Sequence, residues 1–177
     1  MLTKLMVLIA MLFVAVPGVT PVRAEPPAAT NLLDVVPEKM PFDVPYGVPV
    51  SLERAETAIA ATVAEAKKHN WKLNVAVVDS GGNLVAFQRM DGAQLSSIQV
   101  SQHKARASAE FRRETKAFEN ALQLNNMQYI LTLDGVIAAR GGIPLVEGGK
   151  LVGAIGCSGG TGSQDEVACK AGASIFK

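Results

Sequence analysis

Residues 73–89 read LNVAVVDSGGNLVAFQR, with two mainly apolar runs on either side of the polar stretch Asp79-Ser80-Gly81-Gly82-Asn83. Val and Phe favour extended strands, whereas Gly, Asn, Asp and Ser favour tight turns. The stretch therefore predicts a β-hairpin with strands over residues 73–78 and 84–89. Near the C-terminus, residues 143–146 and 150–155 flank Glu147-Gly148-Gly149 and predict a second hairpin.

Helices are predicted before and between the two hairpins, where apolar residues recur at helical spacing. Ser51 is a good N-cap for the first of them. The three predicted helices run from Ser51 to about His69, from Ser96 or Ser97 to about Glu110, and over residues 114–122.

A Gly-rich loop over residues 156–162 leads into a last predicted helix. Ser163 and Glu166 have the spacing of a capping box, in which each side chain satisfies a backbone amide at the start of the helix. The order helix, hairpin, helices, hairpin, helix predicts an α+β fold with an antiparallel sheet flanked by helices. A doubly wound parallel sheet is disfavoured, because hairpin turns outnumber crossover helices.

The first 24 residues have the layout of a secretory signal peptide. Lys4 precedes twelve residues without a polar side chain, 5–16, and Val22-Arg23-Ala24 offers a cleavage site before Glu25. The apolar run is shorter than a transmembrane anchor needs. We therefore expect a periplasmic or secreted protein with no stable membrane insertion after cleavage.

The next segment, residues 25–50, holds six of the nine prolines and is expected to be an extended leader. Its later part carries Met40, Phe42, Val44 and Tyr46, which would pack against the domain or against a neighbouring subunit. Residues 51–177 then form one domain, as the length of 177 residues suggests.

Composition excludes several classes of protein. The charges nearly cancel, with 17 Lys plus Arg against 16 Asp plus Glu, and aromatics are only 5%. No basic field or base-stacking platform for nucleic acid is expected. The two cysteines, Cys157 and Cys169, cannot build a four-cysteine zinc site. In an oxidising compartment they form either one disulfide or two separate buried thiols, and their spacing allows both.

Conventional catalytic signatures are missing from the sequence. No phosphate-binding loop pattern occurs, and although Gly156, Ser158 and Gly160 meet the Gly-x-Ser-x-Gly pattern, no histidine follows them. His103 lies in a predicted helix beside cations, where it is either a surface residue or a ligand to haem iron. The cations around it are interleaved with acids, which is typical of a solvated, salt-bridged face.

Several separate motifs resemble the GlcG/HbpS haem-binding family, which is related to the C-terminal domain of PduO. They occur in the expected order over residues 46–175, and they are residues 46–49, 52–55, 73–84, 89–93, 141–144, 152–159, 165–166 and 171–172. The resemblance implies a profilin-like α+β domain that assembles into a homo-oligomer. Cys157 and Cys169 depart from the family, which usually has aliphatic or small residues there.

The resemblance and the predicted export together imply an exported haem-binding protein that lacks conventional catalysis and buffers or senses haem, iron or redox state. His103 is the expected iron ligand. The expected haem contacts are Met90, Asp91, His103, Lys104, Arg106 and Arg140. One alternative is an accessory protein or enzyme for a small hydroxy acid or aldehyde, whose carboxylate Arg89, Asp91 and Arg140 would hold. Another is a purely structural component of an oligomer.

Overall fold

The computed structural model of the protein describes residues 34–40 and 42–176. The expected signal peptide at 1–24 and the first part of the Pro-rich leader lie outside the described residues. The unit over residues 39–177 is described below, and it is called the second unit. Within the described ranges, no helix is long and apolar enough to cross a membrane.

The second unit places both predicted hairpins in one sheet. The elements are, in chain order, α1 (Leu52–Lys68), β1 (Asn74–Asp79), β2 (Leu84–Arg89), α2 (Ser97–Glu110), α3 (Lys116–Gln123), a short 3-10 helix (Gln128–Thr132), β3 (Gly142–Glu147), β4 (Lys150–Ser158) and α4 (Gly162–Ala173). The strands lie in the order β2-β1-β4-β3, and every neighbouring pair is antiparallel. The predicted α+β fold, with helices flanking an antiparallel sheet, is confirmed.

Helices cover both faces of the sheet. Val75 and Val77 of β1 pack in a core cluster with α1 and α4, whereas Ala76 and Val78 pack with α2. This division follows from the alternation of side chains along a strand. The α1 and α4 helices therefore cover one face, and α2 covers the other.

The face under α2 is built for close approach. A Cβ added to Gly156 would collide with the carbonyl oxygen of Ser101, and one added to Gly142 would collide with that of Lys104. The side chain of Ala105 packs on this face as well. Because the contacting residues are so small, the backbone of α2 lies directly on β3 and β4.

The start of α4 corrects one prediction. Thr161, not Ser163, is the N-cap: its side chain accepts a hydrogen bond from the amide of Gln164, and the Gln164 side chain accepts one from the amide of Thr161. The helix therefore begins at Gly162, and the carboxylate of Glu166 pairs with Lys116 of α3 and not with a backbone amide at the start of the helix. The predicted Gly-rich loop is also shorter, since β4 continues to Ser158.

The described end of the leader lies against its own domain in an extended form. The amide of Gly47 donates to the carbonyl of Leu151 at 2.7 Å, and Tyr46 forms a parallel bridge with the same residue. The Tyr46 hydroxyl donates to the Glu110 carbonyl at 2.9 Å. These contacts bring the leader alongside the first residues of β4 and the end of α2.

Of the two alternatives for the cysteines, the structure contains the disulfide. Cys157 in β4 and Cys169 in α4 are joined, with their Cα atoms 5.7 Å apart, and both residues are completely buried. The bond therefore ties α4 to the centre of the sheet.

Candidate functional site

The residues expected to contact haem fall in three separate places. Met90 and Asp91 line a cleft beside Trp71, and His103 and Arg106 line a second cleft on α2. Lys104 and Arg140 line neither cleft and belong to ion pairs near the start of α4. The structure therefore brings together two pairs of the six expected residues.

The first cleft, called the Trp71 cleft below, lies where the chain leaves α1 and enters β1. Asn70 adopts a left-handed conformation with φ of 57°, which reverses the chain, and the Trp71 amide then donates to the Ala66 carbonyl. The Met90 amide donates to Leu73 at 3.0 Å, which places the end of β2 beside this turn. The cleft has a volume of about 400 Å³, and its lining consists of Val63, Lys67, Asn70, Trp71, Lys72, Gln88, Arg89, Met90 and Asp91.

The Trp71 cleft combines apolar surface with positive charge. Trp71 and Met90 are half-buried and pack on the main core cluster. Three cations, Lys67, Lys72 and Arg89, face one acid, Asp91, so the lining carries a net charge of +2. None of these three cations lies within 4.0 Å of an acidic oxygen in the described part of the chain. The cleft is thus suited to an apolar ligand that carries anionic groups.

The second cleft, called the His103 cleft below, is formed by one face of α2. Gln99, His103, Arg106 and Glu110 follow one another at spacings of four, three and four residues, so they share one side of the helix. Gly135 closes the opposite side, and its carbonyl lies 3.2 Å from His103 Nε2. The cleft has a volume of about 280 Å³ and contains no apolar side chain in its lining.

Lys104 is a buried structural residue. Its Nζ donates to Asp165 Oδ2 at 2.8 Å and to the carbonyl of Cys157 at 3.0 Å, and Lys104 is only 2% exposed. The other Asp165 oxygen accepts from the amide of Gly160. Burial raises the pKa of the Asp165 carboxyl, against the opposing effect of the Lys104 charge. The ammonium of Lys104 therefore makes its two hydrogen bonds inside the protein and is not exposed to a ligand at the surface.

Arg140 is engaged in a second group of charges. It pairs with Glu119 at 2.7 Å and with Glu166 at 3.5 Å. The hydrogen bonds from Arg140 lower the pKa of the Glu119 carboxyl, and Glu119 in turn raises the pKa of Arg140. Since Arg140 does not line the cleft that holds Arg89 and Asp91, the three residues do not form the carboxylate grip considered for a hydroxy acid.

Three residues that give the Trp71 cleft its character are not among the predicted haem contacts. Lys67 lies in the last turn of the first predicted helix, and Trp71 and Lys72 lie between that helix and the first predicted strand. Trp71 is the single tryptophan of the chain and stands close to two lysines, and this was the available signal. No metal-binding group of three or more His, Cys, Asp and Glu side chains is found among the residues that the structure describes.

Comparisons with known proteins agree with this fold. The sequence model of the HbpS-like family, described as "Haem degrading protein HbpS-like", matches residues 50–174. Protein GlcG of Escherichia coli K12 is 41% identical over 109 residues, which cover 62% of this chain and 81% of that protein.

Two solved structures are similar to this chain. The crystal structure of a double mutant of Streptomyces reticuli HbpS is 27% identical, with a TM-score of 0.68, and the match covers 91% of this chain and 99% of that one. A crystal structure of a PduOC:Heme complex shares the fold, with 23% identity, a TM-score of 0.66 and coverage of 73% and 96% of the two chains. With the family model matching most of its length, the chain belongs to the HbpS-like family.

Proposed function

We propose that this protein is an exported haem-binding protein that buffers or senses haem, iron or redox state, and that the Trp71 cleft holds the haem. Membership of a family described by haem degradation supports a haem-related role. The similar PduOC fold, solved as a haem complex, shows that the same architecture accommodates haem in another protein.

The observation that carries this proposal is the lining of the Trp71 cleft. Haem is a flat apolar ring that carries two carboxylates, so its site needs apolar and aromatic surface beside cations. Val63, Trp71 and Met90 provide the apolar surface in this cleft. Lys67, Lys72 and Arg89 stand around it without ion-pair partners among the described residues and would bind the carboxylates. The residues present thus fit the group.

Met90 is the residue of this cleft whose side chain suits haem iron, because a methionine thioether is an established axial ligand. His103 has the stronger ligand chemistry but lies in the cleft whose lining has no aromatic or aliphatic side chain to hold the haem ring. We therefore propose Met90 as the ligand and keep His103 as the residue against which it is tested. Bound haem would supply its iron chemistry, and the protein's residues would bind and orient it.

Haemin titration of the full chain, purified after expression with its own N-terminus, tests this assignment. The single tryptophan lies in the proposed site, so haemin should quench its fluorescence in step with the growth of a Soret band. Met90→Leu should shift the Soret band, whereas His103→Ala should leave it unchanged. A band that responds only to His103→Ala would move the site to the other cleft, and no Soret band in any form would end the proposal.

The cations are tested separately from the iron ligand. The double substitution Lys67→Gln/Lys72→Gln should weaken haemin binding by about tenfold, because charge-assisted contacts to carboxylates are lost. Lys39→Gln/Lys150→Gln is the matched control, since both lysines are exposed and line neither cleft. An equal effect of both variants would show that the protein's overall charge, and not the cleft, attracts haemin.

The same titration separates a haem buffer from a haem-degrading enzyme. We propose a buffer or sensor, so the Soret band should persist when a reductant and air are supplied. Progressive loss of the band with release of iron, at a rate above that of free haemin, would instead assign the activity named in the family description.

Export and assembly complete the proposal. The Cys157–Cys169 disulfide supports an oxidising compartment, and residues 1–24 would direct the chain there. Cell fractionation and the mass of the exported protein test this, with Glu25 expected as the first residue.

A homo-oligomer is supported by large apolar side chains exposed near one another in sequence: Leu124, Tyr129, Leu131 and Leu133. Light scattering should therefore give a mass above that of one chain.

A further inference from the structure

The His103 cleft has no role in the proposed haem site. We propose that it binds a small zwitterion of the α-amino acid class, whose carboxylate pairs with Arg106 and whose ammonium pairs with Glu110. The charges, hydrogen bonds and shape of the cleft support this assignment, and haem binding elsewhere is not required for it.

Opposite charges stand unpaired on one wall of this cleft. Arg106 and Glu110 are four residues apart on the same side of α2, a spacing at which ion pairs commonly form. Neither takes part in an ion pair or a side-chain hydrogen bond in the described part of the protein. A cation and a carboxylate are thus both available to a ligand that carries the complementary pair.

The carboxylate of Glu110 has a defined place between two glycines. A Cβ added to Gly82 would lie 3.1 Å from Glu110 Oε1, and one added to Gly135 would lie 3.0 Å from Glu110 Oε2. Both glycines have positive φ, 82° and 78°, which favours glycine over residues with side chains. The hairpin turn and the loop at Gly135 therefore leave room for this carboxylate at the edge of the cleft.

His103 lies beside these two charges and is held by the loop that closes the cleft. A carbonyl oxygen only accepts hydrogen bonds, so in the 3.2 Å contact with Gly135 the His103 ring donates from Nε2. An ammonium group has three donors, and the two carboxylate oxygens of Glu110 offer acceptors for them.

The balance of charge selects the class of ligand. Apart from His103, the lining of the cleft contains one positive and one negative group, Arg106 and Glu110. A simple acid or a simple amine would leave one of the two without a counter-charge, whereas a zwitterion satisfies both. The volume of about 280 Å³ suits a small molecule.

Titration of the full chain with single L-amino acids, followed by the NMR shifts of backbone amides, tests the proposal. At least one amino acid should shift the amides of residues 99–110 in a saturable manner. Its 2-hydroxy acid analogue and its decarboxylated amine should each bind at least about tenfold more weakly, because one charge pair is missing. Arg106→Gln and Glu110→Gln should each weaken binding to a similar extent.

Matched controls keep the result specific. Lys150→Gln and Glu56→Gln remove exposed charges of the same kind that do not line this cleft, and amino-acid binding should be unchanged. The proposal is overturned if no amino acid gives saturable shifts, if the hydroxy acid binds as tightly, or if both cleft variants bind normally. Haemin titration of Arg106→Gln should match the unsubstituted protein, so failure here and failure of the haem site remain distinguishable.

Discussion

The two faces of the sheet are packed on opposite principles. On the face covered by α1 and α4, Val75, Val77 and Ile155 fill space with branched side chains. On the face covered by α2, Ala154 and Gly156 instead let a helix backbone approach closely. Ile155 and Gly156 are neighbours on β4, so one strand meets both requirements by alternation. Substitutions that remove side-chain atoms should therefore destabilise the packing on the first face, and substitutions that add atoms should destabilise the packing on the second.

The largest effect is expected from breaking the buried ion pair that links α2 on one face of the sheet to α4 on the other. Lys104 of α2 reaches Asp165 of α4 and the Cys157 carbonyl of β4. Asp165→Asn should destabilise the protein by about 3–5 kcal/mol, because it leaves a buried ammonium without its counter-charge. Urea unfolding followed by circular dichroism measures the loss.

A double variant identifies the cause of that loss. Lys104→Met/Asp165→Asn removes the buried charge along with its partner, so it should be more stable than Asp165→Asn alone. Equal stability of the two variants would mean that the charge of Lys104 is unimportant and that the damage comes from packing.

Adding one methyl group to the α2 face gives the next largest effect. Gly156→Ala places a Cβ against the Ser101 carbonyl, so α2 must move away from the sheet. We expect a loss of about 3 kcal/mol, at the upper end for overpacking of a core. Ile155→Val is the matched change on the opposite face and should cost only about 1 kcal/mol, since it removes a single methylene. Equal losses in the free energy of unfolding, measured with urea, would contradict the proposed difference in packing between the two faces.

The disulfide should rank third. It joins β4 to α4 on the face that is packed with branched side chains, and it closes a short loop, with a sequence separation of 12. Reduction, or the variant Cys157→Ala/Cys169→Ala, should cost about 2–3 kcal/mol through the freedom gained by the unfolded chain. Thermal unfolding with and without reductant measures this, and an identical midpoint in both would show that the bond adds no stability.

Local signals explain how far the fold was predictable. Both hairpins and all four helices were recognised because turn residues and helical periodicity are encoded in short stretches. The cap of α4 was assigned wrongly because two overlapping patterns, Thr161 with Gln164 and Ser163 with Glu166, satisfy the same rule. In the structure Thr161 and Gln164 form the box, and Glu166 pairs with Lys116 of another helix, a tertiary contact that the local pattern does not show.

The site was less predictable, because its residues meet through non-local contacts. The predicted hairpin already returns β2 alongside β1 and so brings Met90 near Trp71. Val63 and Lys67 reach the same cleft only through the packing of α1 against β1 and β2, which no local pattern shows. The buried side of α2 was difficult to predict for a different reason. Ser97, Ser101, Lys104 and Ser108 are all buried, and a stripe of polar residues has no hydrophobic periodicity to reveal it. Lys104 was therefore expected at a ligand, although it lies inside the protein.

The smallest expected effect concerns an ion pair outside both packed faces, between Glu119 and Arg140. Arg140 lowers the pKa of Glu119 in the folded protein below its ordinary value of about 4.3. As the pH falls, the Glu119 carboxyl therefore binds a proton at a higher pH in the unfolded chain than in the folded protein. The stability that the pair contributes is present above a pH of about 4.3, and it is lost as the pH falls through the lower pKa of the folded protein. Glu119→Gln should flatten the decline in stability below about pH 5.

The effect should be about 1 kcal/mol, the upper value for pairs of limited burial. Glu147→Gln is the control, since Glu147 pairs with Arg54 at the same 2.7 Å but with both side chains more than two-fifths exposed. Its unfolding curves at neutral and acidic pH should match those of the unsubstituted protein, because solvent screens the pair in both states. A flattening of equal size in both variants would mean that burial does not distinguish the two pairs, and the acid response would then reflect total charge.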